Sequence, residues 1–200
     1  MTRSTLPAPR AAASQPATRR KPVSPKSSTK KGFQADRTVG EETWLTPRWL
    51  VDALDLPNVA DVDPCAPPIR YWKTARRHFN KAQDGFNRVW MPEDFYWVNP
   101  PYGAECAKWM EKLADHGNGL LLVFARTDTR AFHDSVFAHP STSAVFFFRG
   151  RLKFANAAGE EVGTAGAPSA LVAYGTKAVG VIRRAIGRGE MDGYLLEMTR

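Results

Sequence analysis

Asn99-Pro100-Pro101-Tyr102 brings an amide side chain, a backbone carbonyl and an aromatic ring within four residues. Two consecutive prolines lack N–H groups, so a strand that runs into them cannot extend its ladder and must turn. No helix then claims the Pro100 carbonyl. Two oxygens and a ring in fixed register suit a planar group that carries an exocyclic NH₂: the oxygens accept its two hydrogens and the ring stacks on its face. The same residues also make a stiff turn closing a buried strand, with Asn99 as an ordinary turn residue.

The flanking elements must hold that turn. Phe95 to Val98 is apolar and aromatic, as a short strand requires. Ala104 to His116 fits a helix, with Cys106, Trp109, Met110 and Leu113 on one face, ended by Gly117 to Gly119. Leu120 to Ala125 is a continuous apolar run of the kind that parallel sheets bury on both faces. Ser143 to Phe148 and Ser169 to Tyr174 read as two more buried strands. Thr129 is placed to cap a helix over Arg130 to Phe137, on which His133 packs. Ala155 to Gly166 reads as a small-residue loop, and the remainder, with Arg183, Arg184 and Arg188, as peripheral.

Further polar groups stand where strands should end. Thr46-Pro47 before an amphipathic Arg48 to Leu54 reads as an N-cap threonine and a first-turn proline. Val59 to Ala66 reads as a buried strand ending in Asp61, Asp63 and the tight turn Pro64-Cys65-Ala66. In a doubly wound α/β sheet, ligands lie outside the carboxyl ends of the strands at the switch point, although strand-end acids also serve as caps. Asp84-Gly85 is a turn signal. Tyr71 to Phe79 is a basic helix or loop. Arg126, Asp128 and Thr129 follow the Leu120 run at the same sheet edge as Asn99. Arg149, Arg151, Lys153 and Phe154 combine three cations with a ring; they suit phosphate contact beside an extruded base, or form an ordinary hairpin arm.

Together these blocks resemble, in order over roughly Glu41 to Gly175, the small phage-type (Dam-like) DNA N6-adenine methyltransferases, which use S-adenosyl-L-methionine (AdoMet). The resemblance rests on Trp44-Leu45-Thr46-Pro47, Asp63-Pro64-Cys65-Ala66, Asp84-Gly85, the Asn-Pro-Pro-Tyr tetrapeptide, Ala125 to Thr129 and Arg149 to Phe154. It implies an abbreviated Rossmann-like (class I AdoMet methyltransferase) fold: a doubly wound, mostly parallel sheet with helices on both faces. It implies catalytic roles for Asn99, Pro100, Pro101 and Tyr102. Thr46, Pro47, Asp61, Asp63, Pro64, Cys65, Ala66 and Asp84 would meet the cofactor, and Arg126, Asp128, Thr129, Arg149, Arg151, Lys153 and Phe154 the DNA. Two departures stand out. Pro67-Pro68 replaces the usual glycine pair, and only 35 residues separate Asp63 from Asn99, tight for two further βα units. Nearly the same tetrapeptide serves enzymes that methylate RNA amines or protein glutamine. A decayed pocket would leave a DNA-binding protein of the same fold.

Charge sets the ends of the chain apart. Residues 1–40 carry nine Lys/Arg against Asp36, the whole formal charge of +8; taking them from totals of 28 and 20 leaves nineteen bases and nineteen acids. Residues 1–38, with five prolines and few large apolar groups, are expected to be a disordered basic tail on a folded domain over 39–200. Such a tail either binds polyanions without reading sequence or is a bystander. Four scattered histidines and two cysteines show no ligand spacing, so no metal is expected. No run reaches membrane-span length. Nothing calls for an obligate protein partner. Without a secretory signal the expected compartment is a reducing bacterial cytoplasm, with a phage or mobile element as the source.

Overall fold

The computed structural model describes residues 44–199, so the expected tail over 1–38 lies outside the described residues. Pro47 fixes its own φ and hands its carbonyl to the Leu50 and Val51 amides, starting helix α1 (Arg48–Ala53). A short α2 (Leu56–Val59) follows, entered through Asp55 in the left-handed region. Strand β1 is only Val62–Asp63, because Val59 belongs to α2 rather than to the strand expected from residue 59. Strand β2 (Arg77–His78) and a single turn of 3₁₀-helix (Lys81–Gln83) are all that precede β3 (Tyr96–Val98). The tight spacing between Asp63 and Asn99 thus resolves as one two-residue strand set in loop, with no α-helix.

Helix α3 (Cys106–His116) ends on Gly117 at φ 76°, and its inner face is Trp109, Met110, Leu113 and Ala114. Strand β4 (Gly119–Phe124) leads to α4 (Arg130–Phe132), which Thr129 caps by accepting the Phe132 amide. A π-turn continues it over His133–Phe137; His133 is exposed there, its ring edge-on to Phe137. Strand β5 (Thr142–Phe148) is next.

Two stretches differ from expectation. The small-residue loop is half a hairpin: β6 (Lys153–Ala155) pairs antiparallel with β7 (Glu161–Thr164). Its turn is built by Asn156, whose Oδ1 accepts the Ala158 and Glu160 amides, and by Gly159 at φ 78°. After β8 (Ser169–Tyr174), the segment expected to be peripheral forms α5 (Thr176–Gly187), which buries Ala178, Val181, Ile182 and Ala185, and β9 (Gly193–Glu197), which pairs with β5.

The main sheet has seven strands in the order β2-β1-β3-β4-β8-β5-β9. The ladders from β2 to β4 are parallel; those from β4 to β9 are antiparallel, so five strands run one way and β8 and β9 the other. Alternation along the strands divides the core. Trp97, Leu120, Leu122, Phe146 and Leu171 pack under α1, α2, α5 and the hairpin; Tyr96, Val98, Leu121, Val123 and Val172 pack under α3 and α4. Helices therefore cover both faces, as expected of an α/β sheet. Since β2 lies on one side of β1 and β3 on the other, the strand order reverses between β1 and β3. A crevice opens there, past their carboxyl ends. No helix among the described residues is long and apolar enough to cross a membrane.

Candidate active site

Asn99 is the first residue beyond β3, and its amide is pinned at both ends. The Nδ2 group donates to the Trp44 carbonyl at 2.9 Å and to Thr46 Oγ1 at 3.3 Å. A carbonyl only accepts, so the Nδ2 end must face Trp44 and Oδ1 must face the other way. There it accepts the Tyr102 hydroxyl at 3.3 Å, a long bond that a better donor can displace. Thr46 is consequently not the expected N-cap: α1 begins at Arg48, and the Thr46 hydroxyl, buried, is turned to Asn99. The Tyr102 ring stacks on Phe124 (centroids 4.2 Å apart, planes 23°) and meets Phe154 edge-on at 5.8 Å. One face of the ring is thus taken by Phe124. Arg126 extends the column, its guanidinium 6.0 Å over Phe124.

Asp63 ends β1 and is 4% exposed. Its Oδ1 accepts the Cys65 amide at 3.1 Å, and its Oδ2 accepts a short bond from the Thr74 hydroxyl. Burial pushes its pKa up to about 6, against the pull of Thr74, Cys65 and the Arg70 cation. Thr74 is itself held by His78, whose Nε2 accepts the Thr74 and Ala75 amides at 3.2 Å each; burial, then Arg70 and Lys73, lower that imidazole to about 4. Cys65 joins the two strand ends: the Asn99 backbone N–H donates to its sulfur, while burial, then the Asp63 charge, raise the thiol well above its ordinary range. Below them, Gly85 packs so close to the turn that a Cβ there would lie 2.1 Å from the Pro64 carbonyl oxygen. Asp84 beside it, at φ 49°, accepts Asn87 through both side chain and backbone, which lowers its pKa.

Between these groups lies a cavity of about 390 Å³. Asn99, Pro100, Pro101 and Tyr102 line it together with Asp63, Pro64, Cys65, Ala66 and Asp84, and Thr46 is part of the same lining. Pro67-Pro68, the departure noted in the sequence, forms part of its wall. The other expected residues sit elsewhere. Pro47 is buried behind Thr46. Asp61 precedes β1, pairs with Arg76 at 2.8 Å and accepts the Phe95 amide, fixing β3 rather than facing the cavity. Arg126 meets the site only through the ring column. Asp128 is exposed and Thr129 is a helix cap. Arg149, Arg151 and Lys153 line a separate hollow with Trp49, Phe148, Glu161, Glu190 and Asp192. Arg149 is ion-paired to Asp192 there, and Arg151 donates to the Ala165 carbonyl. Phe154, on the inward side of β6, is the one member of that block beside Tyr102.

Trp44, Arg70, Trp72, Thr74, Asn80 and Asn87 also line or buttress the cavity, and sequence reasoning did not single them out for it except Trp44. Thr74 reaches Asp63 across eleven residues of loop and Trp44 reaches Asn99 across 55, separations that carry no periodic signal. Comparison with family models, with curated proteins and with solved structures finds no match.

Proposed function

We propose that this chain is an AdoMet-dependent methyltransferase acting on the exocyclic N6 of adenine in DNA, the activity that its tetrapeptide and strand-end blocks resemble. The supporting observation is the cavity itself: the amide and ring after β3 and the acid after β1 line a single space at the switch point. At about 390 Å³ it falls within the range that small-ligand sites occupy, roughly 300–1,000 Å³.

The residues present fit AdoMet. Asp63 and Arg70, beside each other, suit the ammonium and carboxylate of an amino-acid end, and Asp84, Asn80 and Asn87 offer acceptors and donors for a nucleoside end. When bound, the cofactor supplies an electrophilic methyl on a sulfonium. The chain's own work is positional. Asn99 Oδ1, freed from Tyr102, and the Pro100 carbonyl accept the two hydrogens of the target amine. That draws its lone pair out of conjugation with the purine. Tyr102, backed by Phe124, supplies the ring on which the base stacks. The amine sheds its proton to water only after the methyl has moved, so no strong base is required. Holding the reacting groups in line is the main source of rate.

Incubating the protein with methyl-labelled AdoMet and DNA, then mapping methylated adenines, tests this directly. Label at adenine N6, lost in Asn99→Ala with the fold retained, is the expected result. Label on RNA or on glutamine, or none at all, overturns it.

A further inference from the structure

The loop that walls the cavity after β1 carries an exposed apolar residue that neither the fold nor the site uses. Pro68 and Arg70 both line the cavity, while Ile69 between them does not and is 62% exposed. A branched aliphatic side chain standing in water at the rim of a ligand site gains nothing where it is. It is also held there firmly. Pro67-Pro68 stiffen the approach on one side. On the other, the Tyr71 ring lies against Gly159 of the β6–β7 turn, so closely that a Cβ there would come within 2.8 Å of the ring, and it packs beside Trp72 at 6.3 Å. One cation of this loop is uncommitted. Arg76 and Arg77 are ion-paired to Asp61 and Asp94 and Arg70 faces the cavity beside Asp63, whereas Lys73 takes no salt bridge among the described residues. An apolar tip on a braced loop, with an unspent positive charge nearby, at the edge of the candidate ligand cavity, has the character of a group that enters a base stack.

We infer that Ile69 is a wedge: it fills the gap that the target adenine leaves in duplex DNA, while Lys73 holds an adjoining phosphate. This rests on the methyl transfer to adenine proposed above, and it adds how the base is released. Extrusion costs a few kcal/mol of stacking and pairing in a duplex and far less in a single strand. A wedge should therefore matter for the first substrate and not for the second.

The test uses the full chain and one adenine-containing oligonucleotide, single-stranded and as a duplex, chosen from the mapped sites or, if there are none, of mixed sequence. Ile69→Ala is expected to lower kcat/KM on the duplex at least tenfold and leave the single strand unchanged, with Ile69→Leu restoring the duplex rate. A second readout needs no methyl transfer: permanganate oxidation of unstacked thymines in the bound duplex should appear with the unaltered chain and vanish with Ile69→Ala. Equal rates on the duplex, or equal loss on both substrates, with an unchanged permanganate pattern, overturn the wedge alone. No transfer by the unaltered chain to either substrate, with an Ile69-dependent pattern, refutes the methyl-transfer proposal and upholds the stack-entering role.

Discussion

Asp63 sits in the site as a carboxyl that would rather be neutral. Its unfolded value is 3.8 and its folded value about 6, so between those pH values the native chain keeps a proton that the unfolded chain has shed. The stability it contributes is whole below pH 3.8 and is lost as pH rises through about 6. Asp63→Asn removes the titration. Its stability relative to the unaltered chain should climb from pH 3.8 and level off above 6, gaining on the order of 3 kcal/mol, from about 1.4 kcal/mol per tenfold change in proton affinity. Thermal unfolding of both proteins from pH 4 to 7.5 checks this; a pH-independent difference contradicts it. His78 runs the opposite way: lowered from 6.5 to about 4, it favours the native state above 6.5 and withdraws that support as pH falls through 4. Thr46→Val tests the amide clamp. With one of two acceptors gone from Asn99 Nδ2, turnover should fall several-fold while the melting temperature moves little. Asn99, Tyr102 and Asp63 are legible as a site because each lies at the end of an apolar run that announces a strand. The role of Thr46 is not legible, because a threonine before proline and an amphipathic run has the same signature whether it caps the helix or faces away from it.

The loop elements between β1 and β3 decide the shape of the cavity more than any helix does. Gly85 is the position where that loop presses on the Pro64 turn. Gly85→Ala should force the two backbones apart at a cost of about 1–3 kcal/mol, and it should weaken AdoMet binding more than the stability loss explains, because Asp63 and Cys65 ride on the displaced turn. Calorimetry alongside thermal unfolding separates the two effects; full affinity at reduced stability would show that the turn absorbs the strain without moving the acid. Helix α3 is readable because its apolar residues recur at helical spacing, and strands β4, β5 and β8 because each is a near-continuous apolar run six or seven residues long. The β6–β7 hairpin is not, since its strands are three and four residues long and its register shifts between Lys153 and Ala155. Helix α5 is masked by the arginines on its outer side, although its apolar positions recur at helical spacing.

At the scale of the whole molecule, the excess charge lies outside the described residues. Residues 41–200 balance their acids and bases, and the excess lies in residues 1–40. Deleting residues 1–38 should leave methyl transfer in place while flattening the dependence of DNA affinity on salt concentration, since every phosphate no longer neutralised takes away about one unit of log–log slope. An unchanged slope would make that segment a bystander. Shortening the chain from its start nevertheless has a limit set by a single carbonyl. Trp44 is the acceptor that orients the Asn99 amide, and its neighbour Leu45 pairs with Ala155. Trimming the few residues between position 38 and Leu45 would therefore do more than strip charge: it would remove the acceptor that orients Asn99 Oδ1, and under the proposed function a protein cut past Trp44 should still bind AdoMet but fail to transfer its methyl group.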